Sequence, residues 1–370
     1  MNRAASRESA IDEVIVVESV GSAEVAEKEP RHQVTVRQAF SGRALREPIP
    51  ALRSTDIQSW DERSPNNLRT AATPTRIADA HIYIGSVSKL FVGYLTLKLA
   101  DQGLLSLDDP LSAYLPNHPN ADKITIRMLG HHRSGLADIL RDTDFRQQVI
   151  SDPTRCWKID ELISVSRRQT PAGSPGGGRR YANINSILLA RVAEIATKTE
   201  FAELLRQHIL DPWQLSQTGI VVKHLPVPHT LAFRHAKKDR WFSYGKQLIN
   251  VTHSNPTWAG PAGFLYSTLH DLRVCVPKLV TGAGLEASIR TELLRWHEGD
   301  GQTRHGFHLD CVDGWLGHSG DVPGFNTSVW YHPEYQVSVI AWANLSNLAD
   351  GSMPAEVAAS RLRARYPPKP

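Results

Sequence analysis

The stretch Ile84-Gly85-Ser86-Val87-Ser88-Lys89-Leu90-Phe91-Val92-Gly93-Tyr94-Leu95-Thr96-Leu97-Lys98-Leu99-Ala100 decides how this chain is read. From Ser86 to Ala100 apolar side chains fall on nearly every helical face, which predicts a helix buried all round. Gly103 stands where a helix-ending C′ residue belongs. Lys89 follows Ser86 by three positions, so the two share one face. A serine hydroxyl is a poor nucleophile until a neighbour takes its proton, and burial in an apolar helix pushes a lysine amine toward the neutral form that can do so. The first helical turn also directs N–H groups at a developing oxyanion. Ser86 is therefore the candidate nucleophile and Lys89 its base. Ser-x-x-Lys alone arises by chance about once in a chain of this size, so the assignment needs partners elsewhere.

Two further motifs supply them. In Tyr181-Ala182-Asn183 a phenol can relay protons beside an ammonium, and an amide can hold both a lysine and a substrate carbonyl. The plainer alternative is a packed tyrosine and an asparagine that caps the helix starting at Ile184. In His318-Ser319-Gly320 a glycine lets a substrate lie close to a strand while the imidazole offers a hydrogen-bonding edge. His297-Glu298-Gly299 repeats the pattern, but only the copy at 318 closes a strand pattern and leads into Asp321-Val-Pro-Gly-Phe325.

Around these motifs, helical spacing covers Ile124–His131, Ile159–Ser166, Ile184–Lys198 and Glu200–Leu210, with Thr199 as the expected N-cap of the last. Strand patterns occupy Ile15–Val17 and Val34–Val36 near one end, and 263–267, 315–318, 327–331 and 337–342 near the other. Pro333-Glu334-Tyr335 predicts an antiparallel hairpin, and a last helix is expected over Pro354–Arg363. Arg46 to Thr75 reads as loop. The expected architecture is α+β: an antiparallel sheet flanked by helices and built from residues 1–85 and 256–370. A mainly helical domain, 86–255, is inserted, and the active site lies in the cleft between the two.

Composition narrows the function. The 370 residues are 41% hydrophobic and 22% charged, as in a globular chain. Forty-two basic against thirty-eight acidic residues leave a net charge of +4 with no basic run, so no nucleic-acid partner is expected. No apolar stretch is long enough for a membrane span. Cys156, Cys275 and Cys311 are odd in number and at no metal-like spacing. With no secretory signal read at the N-terminus, they fit a reducing, cytoplasmic setting. There is no His-Glu-x-x-His and no Gly-x-Ser-x-Gly elbow, so neither a zinc site nor an ordinary α/β-hydrolase is expected.

Taken together, Ser-x-x-Lys, Tyr-x-Asn and His-x-Gly in this order resemble the penicillin-recognising serine enzymes, in the branch of class C β-lactamases and D-alanyl-D-alanine carboxypeptidases. Asp109-Pro-Leu-Ser-Ala-Tyr-Leu-Pro116, Ile124-Thr-Ile-Arg127, His132-Arg-Ser-Gly-Leu136, Tyr181-Ala-Asn-Ile-Asn185 and Ala343-Asn-Leu-Ser-Asn347 extend the likeness over roughly Thr75 to Arg363. The resemblance implies a β-lactamase/transpeptidase-like fold and acyl transfer through an acyl-enzyme on Ser86, with no cofactor. Tyr181 assists Lys89, and the N–H groups of Ser86 and Asp321 form the oxyanion hole. Asn183, His318, Ser319 and Gly320 bind substrate with Asp321. Trp258 and Trp315 are candidates for the cleft lining. The chain departs from the family in lacking its usual N-terminal helix and signal peptide. It also has no Arg or Lys between Gly306 and Gly317 to hold a substrate carboxylate, and it carries Asp321 where a small residue is usual. These departures imply a neutral ester or amide substrate, with water or an amine as acceptor, as in esterases and amide-forming transacylases of antibiotic biosynthesis. Hydrolysis of D-Ala-D-Ala peptides or penicillins is the alternative. A non-catalytic binding protein on the same fold is a further one.

Overall fold

The computed structural model describes residues 13–20, 33–40, 80–230, 232–237, 244–298, 303–348 and 351–366. The stretch read as loop, Arg46 to Thr75, lies outside them. Strands β1 (Glu13–Val20) and β2 (Gln33–Phe40) precede the short β3 (Ile82–Tyr83). Then follow helices α1 (Ser88–Asp101), α2 (Ile126–Gly130), α3 (Thr143–Ser151), α4 (Ile159–Arg167), α5 (Asn183–Thr197) and α6 (Phe201–Leu205). Strands β4 (Gly219–Ile220), β5 (Phe233–Lys237), β6 (Tyr244–Asn250) and β7 (Leu265–Ser267) lead to helices α7 (Leu269–Thr281) and α8 (Ala287–Leu293). Strands β8 (His297–Glu298), β9 (Thr303–His305), β10 (Asp310–Val312), β11 (Trp315–Val322), β12 (Phe325–His332) and β13 (Val337–Ala343) run into α9 (Pro354–Arg363).

The large sheet has the order β2-β1-β13-β12-β11-β10-β9-β8, and all its ladders are antiparallel. Its seam is β1 against β13, with Val17 opposite Ile340, so both ends of the sequence build one sheet. The expected hairpin is β12–β13, with Val329 opposite Ile340. A smaller sheet, β3-β7-β4, holds the chain just before Ser86: Ile84 N donates to Leu265 O at 3.0 Å.

Two cores lie on either side of the large sheet. The first takes α1, α5, α7 and the inner face of β11 and β12, including Leu316, Val322 and Val329. The second joins Trp315, Trp330, Val339 and Ala341 to Ala355, Ala358 and Leu362 of α9. Trp315 is 1% exposed there, on the face of the sheet away from the first core. That corrects its expected place in the cleft: side chains alternate along a strand, and its position has the parity of the outer face. Trp258 is buried in the first core.

Helix α1 is apolar on all sides because every side is packed, from Leu90 and Phe91 to Leu99. It begins at Ser88; Ser86 sits just before it, in a 3₁₀ turn over Gly85–Val87. Gln102 caps it and Gly103 follows at φ +70°, as expected of a C′ residue. The expected Thr199 cap is corrected. Glu200 holds the N-cap position of α6, while the Thr199 hydroxyl donates to Thr197 O at 3.2 Å and Glu194 accepts the Phe201 N–H at 3.0 Å.

Candidate active site

The 3₁₀ turn at Ser86 does more than start α1. In such a turn residues i and i+3 eclipse one another, so Lys89 comes directly over Ser86. Its Nζ lies 2.9 Å from Ser86 Oγ and donates at 2.9 Å to both Asn183 Oδ1 and Ala262 O. Lys89 is 0% exposed, and burial lowers its pKa to about 7, against the opposing pull of the Asp138 and Asp310 carboxylates. The three contacts suit either protonation state. As an ammonium it donates all three bonds. As a neutral amine it keeps the two to carbonyl oxygens and receives the Ser86 proton with its lone pair.

Tyr181 comes from the extended segment before α5. Its Oη donates to Ser86 Oγ at 3.0 Å. The ring is 40% exposed, open to an incoming substrate, yet its hydroxyl end points into the site, where desolvation raises the phenol's pKa well above its usual value. Lys89 Nζ stands 4.9 Å from the ring centroid. The two proton-carrying groups on Ser86 are thus pushed in opposite directions, the amine toward giving up its proton and the phenol toward keeping it.

Asn183 is the first residue of α5, but it does not cap that helix with its own side chain. Its N–H donates to Asp138 Oδ2 at 2.6 Å, which leaves the amide oxygen for Lys89.

The third motif arrives on β11. Gly85 adopts φ +52°, and a Cβ there would lie 2.7 Å from Asp321 N; a Cβ on Gly320 would lie 2.0 Å from Ile84 O and 2.9 Å from Ser86 N. Only glycines let the turn that carries Ser86 and the strand come this close, and the approach brings the backbone of Ser86 and Asp321 to one place. His318 shares Gly320's face and lies 6.2 Å, ring to ring, from Tyr181. Its Nδ1 lies 2.5 Å from Ser319 O; a carbonyl only accepts, so that nitrogen carries the proton. Nε2 is 4.0 Å from Asp310 Oδ2. Burial holds the imidazole below its ordinary pKa against the pull of Asp310.

The pleat divides the motif in a way the sequence reading did not. Ser319 is directed to the outer face, where its hydroxyl donates to Glu356 of α9. Asp321 is exposed and has the same strand parity as Ser319 and Trp315. Its backbone lies against the turn that carries Ser86. The Ser319 contact corrects the expectation that this side chain acts on substrate.

Several contributors were not foreseen. The Ala262 carbonyl carries no sequence signal. Asp310 of β10 gathers His305 Nδ1 at 2.5 Å, His318 and Arg179 Nη2 at 3.9 Å; burial alone would raise its pKa, but His318, the hydrogen bond from His305 and the Arg179 guanidinium hold it below the usual carboxylate value. Arg179 also places its guanidinium 5.7 Å from the Tyr181 ring centroid. A basic group therefore reaches the site from the loop before Tyr181, although no Arg or Lys lies between Gly306 and Gly317. Among the described residues, no group of three or more metal-ligating side chains converges, and no helix is long and apolar enough to cross a membrane.

The Beta-lactamase family profile matches residues 66–362. The chain belongs to that family. Its curated relatives include protein flp of Staphylococcus aureus, 24% identical over 287 residues, covering 71% of this chain and 53% of that protein. The putative penicillin-binding protein PbpX of Bacillus subtilis is 22% identical, with 72% and 63% covered. The chain thus spans about half to three fifths of the length of these curated relatives. Among solved structures, the D-amino acid amidase of Ochrobactrum anthropi SV3 superposes with a TM-score of 0.73 at 19% identity, covering 95% of this chain and 94% of that one. This β-lactamase family member therefore has the antiparallel-sheet-and-helix fold expected from its motifs.

Proposed function

We propose that the protein is a serine acyl-transfer enzyme acting on a neutral ester or amide, with substrate entering between the helical part, 86–255, and the sheet part, 1–85 with 256–370. The observation that carries this reading is the convergence on Ser86 Oγ of Lys89 Nζ at 2.9 Å and Tyr181 Oη at 3.0 Å.

In the proposed reaction neutral Lys89 takes the Ser86 proton as Oγ attacks the carbonyl carbon. The N–H groups of Ser86 and Asp321 receive the oxyanion. Tyr181, which retains its proton, donates it to the leaving oxygen or nitrogen. It regains a proton through Lys89 as the acyl-enzyme forms. Water or an amine then attacks the ester on Ser86, the same groups act in reverse, and the free hydroxyl returns. Asn183 holds Lys89 and the substrate carbonyl; His318 and the backbone at Gly320 line the acyl position. The reaction needs no cofactor. The amidase and amidohydrolase names among the structural neighbours support a neutral amide carbonyl as one substrate type. We place the reaction in a reducing, cytoplasmic compartment because all three cysteines are free. An amine acceptor, and with it a role in antibiotic biosynthesis, is the finer part of the proposal.

Intact-mass measurement after incubation with simple esters, amides and benzylpenicillin, with and without an added primary amine, tests it. A transient adduct on Ser86 from neutral esters, discharged to an amide when amine is present, is the expected result. Stable acylation by benzylpenicillin with no turnover of neutral esters would favour the penicillin-binding alternative. No adduct from any compound would favour a binding protein.

A further inference from the structure

We propose that His132 is the positioning residue of Tyr181: it brackets the tyrosine's backbone on both sides and supplies the flat surface that holds the phenol over Ser86. The inference rests on Tyr181 acting as the proton donor partner of Ser86.

The bracket is formed by one residue. The Arg180 N–H donates to the His132 carbonyl at 2.8 Å, and the Ala182 N–H donates to His132 Nδ1 at 3.3 Å. The residues immediately before and after Tyr181 are thus both tied to position 132. Between those ties the imidazole stacks on the phenol ring, with centroids 4.7 Å apart and planes 27° from parallel. The other ring near Tyr181, His318, is farther and more tilted at 6.2 Å and 38°. A tyrosine that is 40% exposed has solvent on one side, so the opposite side must set its direction.

The imidazole is itself held in one state and one place. Ser134 Oγ donates to Asn185 Oδ1 at 2.6 Å, which turns the amide nitrogen toward His132 Nδ1 at 2.9 Å. With two N–H groups pointing at it, Nδ1 must present its lone pair. Burial, and after it the nearby His308, Arg179 and Lys89, hold the ring neutral, so the phenol lies on an uncharged face. His308 closes the stack from behind at 4.7 Å and is anchored by Ser186 Oγ at 2.9 Å and Gly130 O at 2.9 Å. Position 132 has φ +54°, a region that side-chain-bearing residues seldom occupy, so the backbone is held in an unusual shape where it makes these ties. A histidine that merely filled a core would not require tyrosine's two chain neighbours as its partners.

His132→Asn separates positioning from packing. Asparagine tolerates this backbone region and can still accept the Ala182 N–H, but it removes the ring face. Turnover of a neutral p-nitrophenyl ester is measured for the wild type, His132→Asn, Tyr181→Phe and the double variant, with thermal melts on each. We expect kcat to fall about 10–100-fold in His132→Asn with KM within about threefold. Added to Tyr181→Phe, the same change should cost less than about twofold more, because there is no longer a phenol to aim. An unchanged kcat in His132→Asn overturns the inference, as do losses that add fully. Wild-type turnover in Tyr181→Phe alone overturns instead the assignment on which the inference rests. Should His132→Asn not fold, Asn185→Ala provides the same cycle. There a loss of about three- to tenfold that vanishes in the Tyr181→Phe background supports positioning, and a loss that persists overturns it.

Discussion

The two faces of β11 do different work with the same backbone. Toward the first core, His318 and Gly320 meet Tyr181 and the Ser86 turn through close, sterically demanding approaches. Toward α9, Ser319 and, on β12, Ser328 donate to Glu356 Oε2; Trp330 Nε1 donates to Ser328 Oγ at 2.7 Å, and Arg363 donates to Glu356 Oε1 at 2.7 Å. The Arg363 guanidinium lies 4.0 Å from the Trp330 ring centroid. The outer face places its buried cation beside a carboxylate, which the inner face does not do for Lys89. There the amine meets a hydroxyl, an amide oxygen and a carbonyl, with Asp138 and Asp310 acting only from a distance. An arginine keeps its proton in either setting and anchors; a buried lysine without a carboxylate at contact is pushed toward giving its proton up and can act as a base.

That contrast is broken most completely at the nucleophile. Ser86→Ala should abolish covalent adduct formation by intact mass. Ser88→Ala should retain it and lose stability instead, since Ser88 Oγ accepts the Leu265 N–H at 3.2 Å in the core. Labelling of the Ser86→Ala protein at another serine would defeat the assignment. Next, Lys89→Ala and Tyr181→Phe should each lower turnover by about three decades, and the double variant should fall little below the worse single one, as for groups that act as a unit. Fully additive losses would place the two in separate steps.

The third prediction sharpens the contrast through pH. With Lys89 titrating at about 7, the neutral base is scarce below that value and dominant above it. Acylation should therefore rise about tenfold per pH unit on the acid side and level off above about pH 7 to 8. A pre-steady-state burst rate that is flat from pH 5 to 8 contradicts this. On the outer face, Glu356→Gln should act on stability: about 1–3 kcal/mol, read as a lower Tm, with turnover per folded molecule within about twofold. A large fall in kcat with Tm unchanged would mean the outer face contributes to chemistry after all.

The smallest effect is expected at Asp321. Its side chain is exposed at a position with the strand parity of the outer face, and Arg179 brings a positive group to the inner one. The anion discrimination read from sequence should shrink to about tenfold between a neutral ester and its free-acid partner, or about 1.4 kcal/mol. Asp321→Thr should alter that ratio by less than about threefold. Paired specificity constants measure both.

What the sequence disclosed, and what it did not, follows from where each signal resides. Ser86, Lys89, Tyr181 and Asn183 meet as their motifs led one to expect, because Ser-x-x-Lys and Tyr-x-Asn are each short and marked by their side chains. Helix α9 began at Pro354 and ended at Arg363 as read, since a first-turn proline and an amphipathic stripe mark such a helix. The roles of Ser319, Asp321 and Trp315 depended on strand parity, and parity has no meaning until the register against β12 is fixed. Arg179 and Asp310 are charged residues of a kind usually solvated, so only their meeting around His318 marks them. The Ala262 carbonyl could have come from any residue type.

The seam that ties β1 to β13, and the Thr327 hydroxyl that reaches Tyr83 O across 244 positions, set an order of events during synthesis. Ser86 and Lys89, the proposed nucleophile and base, are made within one helical turn of each other. Strand β11, whose backbone would complete the oxyanion site, follows far later in the sequence. Contacts this distant in sequence form slowly, because a long loop must close before they stabilise anything. A growing chain that has made this serine and lysine but not yet β11 to β13 therefore lacks the surface that the proposed reaction requires of them.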